Sequence, residues 1–565
     1  MSHRTRIVAT LLAAVVTACT QAATPERPSQ SPPAPSGEPR LLQVALPVEP
    51  ATLAARSLEP IAQNLYLVRR MVNAEIAILD DRGTPRPYLV ENLPQLNTDS
   101  WRVFPDGRME TTYRLKPGLT WHDGVPATAE DYVFGWATYS TPFVGHANLH
   151  PFDAIAEVVA ADPRTVVIRW KQPYADVNFL GGLGTEFAPL PRHLLGQALE
   201  SEQPEAFLKS SFWTRDYVGL GPYRLSHWEL GAFIEMNAFE GHTLGRPKID
   251  RMRLLFSNAQ SATARLLAGE VQLSAGVGLD VPTLKQEWIS PGSGNVILHP
   301  NQWQAIHIQF RPDYQASRPL LNPTIRKALA HSVDRALMNE TILEGDGIML
   351  DSPVSPHSIW AAAADRGAVK YPFDLRRSEQ LAVEAGFVKG SDGIYVSPTL
   401  GRVSFEIKGN AGATEPMLSF LAANWRKNGF DAQESVLPAA LGQNPEVRAT
   451  YPGMFFFQQN CCESALLGLT SGSVGSAENR WTGGNRSGWT DPEFDRLAEA
   501  LTKTLEQSER ERQVTRMVQL VTENVQSIQV QNVTQPWLYA TPLRGLTAVP
   551  PEANMSWNIH EWEIR

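Results

Sequence analysis

The chain has 565 residues and a mass of 62.4 kDa, enough for about three or four ordinary domains and a core that needs no disulfide lattice. Hydrophobic residues make up 43 % and charged residues 19 %, which excludes the disordered class. A formal charge of −9 and a pI near 5.8 argue against nucleic acid as a partner, since phosphate binding needs a basic face. No run of about 18 apolar residues is present to cross a bilayer as a helix.

In chain order, the first element is a secretory signal. His3, Arg4 and Arg6 precede the apolar stretch Ile7–Ala18, which is too short for a membrane span. The sequence Val16-Thr17-Ala18-Cys19 resembles a bacterial lipobox. That resemblance implies cleavage before Cys19 and acylation of its thiol and new amino group; the alternative is a plain signal peptide with an incidental cysteine. Residues 1–18 are thus expected to be removed. Residues 19–40, with Pro25, Pro28, Pro32, Pro33, Pro35 and Pro39, read as a semi-rigid tether. The folded part is expected outside the cytoplasm, lipid-anchored in the periplasm or on the outer surface. Apart from Cys19, the cysteines are Cys461 and Cys462, adjacent in sequence. They are either two reduced thiols or a strained vicinal disulfide.

Leu41–Leu46 reads as a buried strand, and Met109–Leu115 and Thr165–Trp170 as further strands. Thr128 and Asp131 open a helix as N-cap and N3, with Tyr132, Val133 and Trp136 on one face. Asn322-Pro323 starts another, whose apolar face is Ile325, Ala328, Leu329, Val333, Ala336 and Leu337. Asp374 caps a helix that Gly386 ends, and Thr490-Asp491-Pro492-Glu493 launches a long amphipathic stretch toward residue 528. Strands near 402–408, 452–457 and 527–531 complete an α/β set.

No catalytic constellation emerges: His-Glu-x-x-His, Gly-x-Ser-x-Gly, P-loop and dinucleotide fingerprints are all missing, and the histidines lack paired metal spacing. No cofactor, no metal and no enzymatic activity are expected. The His122-Asp123 pair could suggest catalysis, but Asp123-Gly124 is a turn signal ahead of the Thr128 cap.

Trp121-His122-Asp123-Gly124 followed by Thr128-Ala129-Glu130-Asp131 resembles a hallmark of the dipeptide, oligopeptide and nickel group (family 5) of ABC-transporter solute-binding proteins. Glu91-Asn92-Leu93-Pro94, Gly219-Leu220-Gly221-Pro222-Tyr223 and Arg326-Lys327-Ala328 through Val333-Asp334-Arg335 are similar to further family motifs, in family order. The resemblance implies an α/β, two-lobed periplasmic-binding-protein-like fold of type II, cluster C, with an additional inserted domain. Lobe I would comprise 41–75, 180–275 and 535–565, the insert 76–179 and lobe II 276–534, with hinges near 273–278 and 530–537. A solute would be closed between the lobes and delivered to an ABC permease, by a protein expected to be monomeric. An exported hydrolase, or a surface chaperone or signalling receptor on the same shell, is the alternative.

Many peptide-binding members carry a Trp and an Asp in a lobe II strand, the Asp taking the peptide's amino group. Here Phe457, Gln458, Gln459 and Asn460 stand in that region, with Glu463 as the one nearby carboxylate. Neutral amides beside an aromatic run suit a polar, uncharged solute such as an oligosaccharide, so residues 457–463 are expected on the pocket floor with a chemistry that disfavours short peptides; oligopeptide and oligosaccharide are the two candidate solutes. The expected ligand-binding residues are Glu49 after the first strand, Gln302 and Trp303, the segment Phe457–Asn460, and Arg480-Trp481 in a Gly- and Ser-rich loop.

Overall fold

The computed structural model describes residues 39–565 apart from 57, 59–64, 145, 147–150, 183–184, 202, 277–278, 413, 443 and 482. The expected signal peptide, the Cys19 lipidation site and the tether lie outside the described residues, save for the tether's last two.

Leu41–Leu46 forms a strand with four fully buried side chains, as a run without polar alternation should when both faces are covered. It lies parallel to Arg251–Phe256 on one side and to Leu273–Ala275 on the other. Beyond these, Phe233–Ala238 and Tyr223–Glu229 extend the sheet as a hairpin. In the other direction the sheet continues through two long strands, Ser527–Ala540 and Gly294–Ile308, then Met454–Asn460, Ser404–Asn410 and Asp431–Leu437. The two long strands pair with each other along almost their whole length, with a register shift between His299 and Gln302.

Side chains at the two ends of this sheet belong to different cores. Ala45, Leu255, Leu284, Trp288 and Leu538 pack in one cluster. Ile306, Ile325, Leu329, Leu418, Trp425 and Val530 pack in another, on the far side of the shift. Leu284 and Trp288 therefore join the first body, although the sequence reading assigned everything from 276 to lobe II. The register of the two long strands shifts between His299 and Gln302 and again between Gln304 and Ala305. The short helix Val281–Leu284 packs back on the first strand's core, and the long strand after it runs on to the other core.

A separate sheet, in the order Trp101–Val103, Met109–Arg114, Thr165–Trp170, Ile155–Asp162, forms the region expected as an insert. Its helix Ala129–Tyr139 begins where Asp131 Oδ2 accepts the Thr128 N–H at 2.9 Å. The same carboxylate accepts the Trp121 indole at 3.3 Å and the Arg192 N–H at 3.2 Å, so one side chain ties the motif together.

Two expected long helices are each broken. The first runs Pro323–His331, and a second starts at Arg335, because Asp334 accepts the Leu337 N–H and caps it. Leu337 is consequently 45 % exposed and leaves the core face assigned to it. The stretch from Thr490 divides into Pro492–Lys503, capped by Asp491, and Gln507–Glu523, because Thr504 turns extended between them.

His122 explains why two separated motifs occur together. Its backbone N–H donates to Gly219 O at 3.0 Å, its Nδ1 accepts the Gly219 N–H at 3.1 Å, and its Nε2–H donates to Gly221 O at 3.0 Å. The neutral ring with hydrogen on Nε2 satisfies all three. A Cβ at Gly221 would lie 2.4 Å from the Val72 carbonyl carbon, so only glycine lets this turn sit on the preceding helix. Burial pushes the His122 pKa down to about 4, below the ordinary 6.5. The unfolded chain thus binds more protons between these values, and the stability His122 contributes above pH 6.5 is lost as pH falls toward 4. His122→Gln should cost about 2 kcal/mol at neutral pH, and the gap in Tm from the native protein should narrow on acidification, read by thermal melts across pH.

Candidate functional site

The strand Met454–Asn460 pairs with Gln302–Ile308 over its full length. On its other side Ser404–Asn410 touches it only at Met454 and Phe455. From Phe456 to Gln459 that edge has no neighbouring strand among the described residues. The parallel strands Ser404–Asn410 and Asp431–Leu437 run alongside in the same direction. Carboxyl ends of such strands are where open α/β sheets place their ligands.

Alternation sends Met454 and Phe456 into one core and Phe455 and Phe457 to the opposite face, with Tyr451 and Leu437. Phe455 and Phe457 stack at 4.0 Å between centroids. Gln458 points to the Met454 side, where its Nε2 donates to Gln302 Oε1 and its Oε1 accepts from Gln304 at 3.1 Å. Gln531 extends this amide chain to Gln304 at 2.6 Å. Gln459 bonds the His307 ring at 3.1 Å. The amides expected to face solute are therefore engaged with one another and with His307, because cross-strand pairing places amide opposite amide.

Trp303 is buried with Ala305, Leu350 and the two cysteines, a core position rather than a stacking platform. Glu49 accepts the Trp228 indole at 2.7 Å and the Gly231 N–H at 3.1 Å, so its carboxylate ties down a hairpin instead of facing a cleft. Arg480 and Trp481 hold left-handed backbone, φ 55° and 61°, in an irregular loop. Arg480 is exposed, and Trp481 meets Tyr314 edge-on at 6.3 Å. Gln302, Trp303 and 457–460 thus share one place in the fold, and Glu49 lies apart on the hairpin.

Cys461 and Cys462 form a vicinal disulfide, with Cys462 at φ 75° and its N–H donating to Pro353 O at 3.1 Å. The following Glu463 accepts the Trp360 indole at 2.8 Å and pairs with Arg510 at 3.1 Å. Arg510 also holds Asp176 at 2.9 Å, and its guanidinium lies over the Trp360 ring. Asp176 comes from the insert region and Arg510 from the second body. Burial, then the Asp176 charge, pushes the Glu463 pKa up to about 7 against the pull of Arg510. Glu463 is accordingly occupied and does not stand free for a solute ammonium.

Sequence reasoning missed a cationic group on the Phe457 face. The guanidiniums of Arg448 and Arg486 lie 5.2 Å and 4.9 Å from the Phe457 centroid. Neither makes an ion pair with a carboxylate among the described residues. Arg311 lies behind them, donating to Gly475 O at 2.8 Å, Arg486 O at 3.0 Å and Ala449 O. Burial, then Arg448, lowers the Arg486 pKa to about 10, and burial with both arginines lowers His307 to about 3. Nothing local in the sequence marks Arg448 and Arg486, which come from a short helix and an irregular loop. Elsewhere, Tyr66, Arg69, Arg70, Glu75, Glu186 and Glu552 help line a small concavity, where burial and Glu186 push Glu75 up to about 8. Among the described residues no three His, Cys, Asp or Glu side chains are grouped to hold a metal, and no helix is long and apolar enough to cross a membrane.

Two cores joined by continuous strands, with an added small sheet, define a two-lobed binding-protein fold. Residues 92–460 match the model of bacterial extracellular solute-binding proteins, family 5 Middle, and the chain belongs to this family. It is 24 % identical over 351 residues to the oligopeptide-binding protein AppA of Bacillus subtilis, covering 61 % of this chain and 59 % of that one. It is 25 % identical over 368 residues to the dipeptide-binding protein of Escherichia coli, covering 61 % and 63 %. The alignments span about three-fifths of the length of these curated relatives. Among solved structures, NikZ from Campylobacter jejuni in complex with Ni(L-His) superposes with a TM-score of 0.71 at 21 % identity, covering 92 % of this chain and 99 % of that one.

Arg510→Met should expose Asp176 and Glu463 to each other without their shared cation. A loss of about 3 kcal/mol is expected in urea unfolding, largely restored by adding Asp176→Asn and Glu463→Gln.

Proposed function

We propose that the protein is an extracytoplasmic receptor that captures a peptide between its lobes and hands it to the permease of an ABC importer. The observation that carries this reading is the half-free strand Met454–Asn460, whose edge from Phe456 to Gln459 can accept an extended chain by backbone hydrogen bonds. Family membership and relatives named as oligopeptide- and dipeptide-binding proteins support it. A neutral oligosaccharide is less well served, because Gln458 and Gln459 are already bonded within the protein. Binding without catalysis suits the site, which pairs its buried acids instead of presenting them.

The lobes are read as lobe I with the insert up to about residue 299, and lobe II from there to about 533, closing on the solute about the two long strands. Lipid at Cys19 would hold a monomeric receptor at the membrane, with the Pro-rich segment as tether.

Calorimetry with di- to pentapeptides against neutral oligosaccharides tests the solute class. Heat of binding is expected from a peptide of that set and from no sugar; saturable sugar binding with silent peptides would overturn the reading. For the anchor, Cys19→Ser should move the protein from the detergent phase to the aqueous phase, and unchanged partition would refute lipidation.

A further inference from the structure

On the proposal that the solute is a peptide, we infer that Arg448 and Arg486 form a subsite for an acidic side chain of that peptide. Both guanidiniums sit on the same aromatic ring, yet no carboxylate among the described residues neutralises either. Glu406, on the same face one strand away, is paired with Lys408 at 3.0 Å. Buried or half-buried cations without a counter-charge are costly, and arginine pairs of this kind are suited to bidentate carboxylate recognition.

Four polar atoms around Phe457 also lack a partner: Arg448 Nε, Arg486 Nη1, His307 Nδ1 and the Tyr451 hydroxyl. Tyr451 and His307 are both 1 % exposed. Gathered around one ring, these four atoms offer hydrogen-bonding groups that a ligand carboxylate would engage. Arg311 makes the arrangement rigid, because its bonds to the Ala449 and Arg486 carbonyls fix the backbone beside each guanidinium. Such preorganisation lowers the ordering cost of binding.

The geometry of the strand selects a side chain rather than a terminus. An extended peptide laid along the Phe456–Gln459 edge would project alternate side chains to the Phe457 face, level with the arginines. An acidic side chain there places its two oxygens where both guanidiniums can donate. Lysine at that position would meet two like charges and be rejected.

The test uses pentaalanine and its five single-glutamate and five single-glutamine variants, in calorimetry with the full-length protein. Glutamate should exceed glutamine in affinity by roughly 10- to 100-fold at one position only. In Arg486→Gln, and separately in Arg448→Gln, that ratio should fall to about one, with circular dichroism confirming the fold. Equal affinities for glutamate and glutamine at every position would overturn the subsite while leaving peptide binding intact. A preference that disappears on amidating the peptide's own C-terminus, and not on exchanging glutamate for glutamine, would overturn it as well. Silence from every pentapeptide would instead bring down the peptide reading, and the subsite with it.

Discussion

The rest of the structure depends on the pairing of Gly294–Ile308 with Ser527–Ala540. At about 3.4 Å per residue these strands reach roughly 50 Å, the length of two stacked small domains. Each strand gives its first part to one core and its last part to the other. The bodies therefore share one hydrogen-bonded ladder, interrupted where the register shifts between His299 and Gln302 and again between Gln304 and Ala305. A bend at either interruption sacrifices few ladder bonds, whereas a bend anywhere else would strip a buried backbone of its partners. The contact of Asp176 with Arg510, and that of Ser358 with Glu552, tie the bodies together away from the two strands.

Elements governed by local chemistry were legible. Leu41–Leu46 and Thr165–Trp170 occupy the spans that their residues prescribe, since a short β-branched or apolar run has few alternatives. Asp374 caps its helix, and Gly386, at φ 82°, lies just beyond the helix end as a residue without Cβ should. The helix breaks were legible only in part. Apolar spacing continues smoothly through Val333 to Leu337, and the competing signal, an aspartate poised to cap at 334, is short. Periodicity alone cannot weigh a cap against continuation, because the cap's value depends on where the next segment can pack.

Of the candidate site, residue types were legible and contacts were not. Residue type showed amides at 458 and 459, but their partners Gln302, Gln304 and His307 come from a strand more than 150 positions away in sequence. The partner of Glu49 was hidden for the same reason: Trp228 reaches it from a distant hairpin. The arginines over Phe457 were invisible because the short helix and loop that carry them have no periodic signature. Their positions follow from how chain segments cross in front of the sheet. Local rules describe backbones well, while a binding surface is assembled from segments whose meeting no local rule encodes.

The disulfide carries a consequence for the ion pair beside it. Its partners are neighbours in the chain, so the ring they close contains a single peptide unit. With the ring closed, Cys462 is held in the left-handed turn that aims Glu463 toward Arg510. Reduction would free that turn, so the redox state of one small ring bears on the direction of a half-buried carboxylate several bonds away.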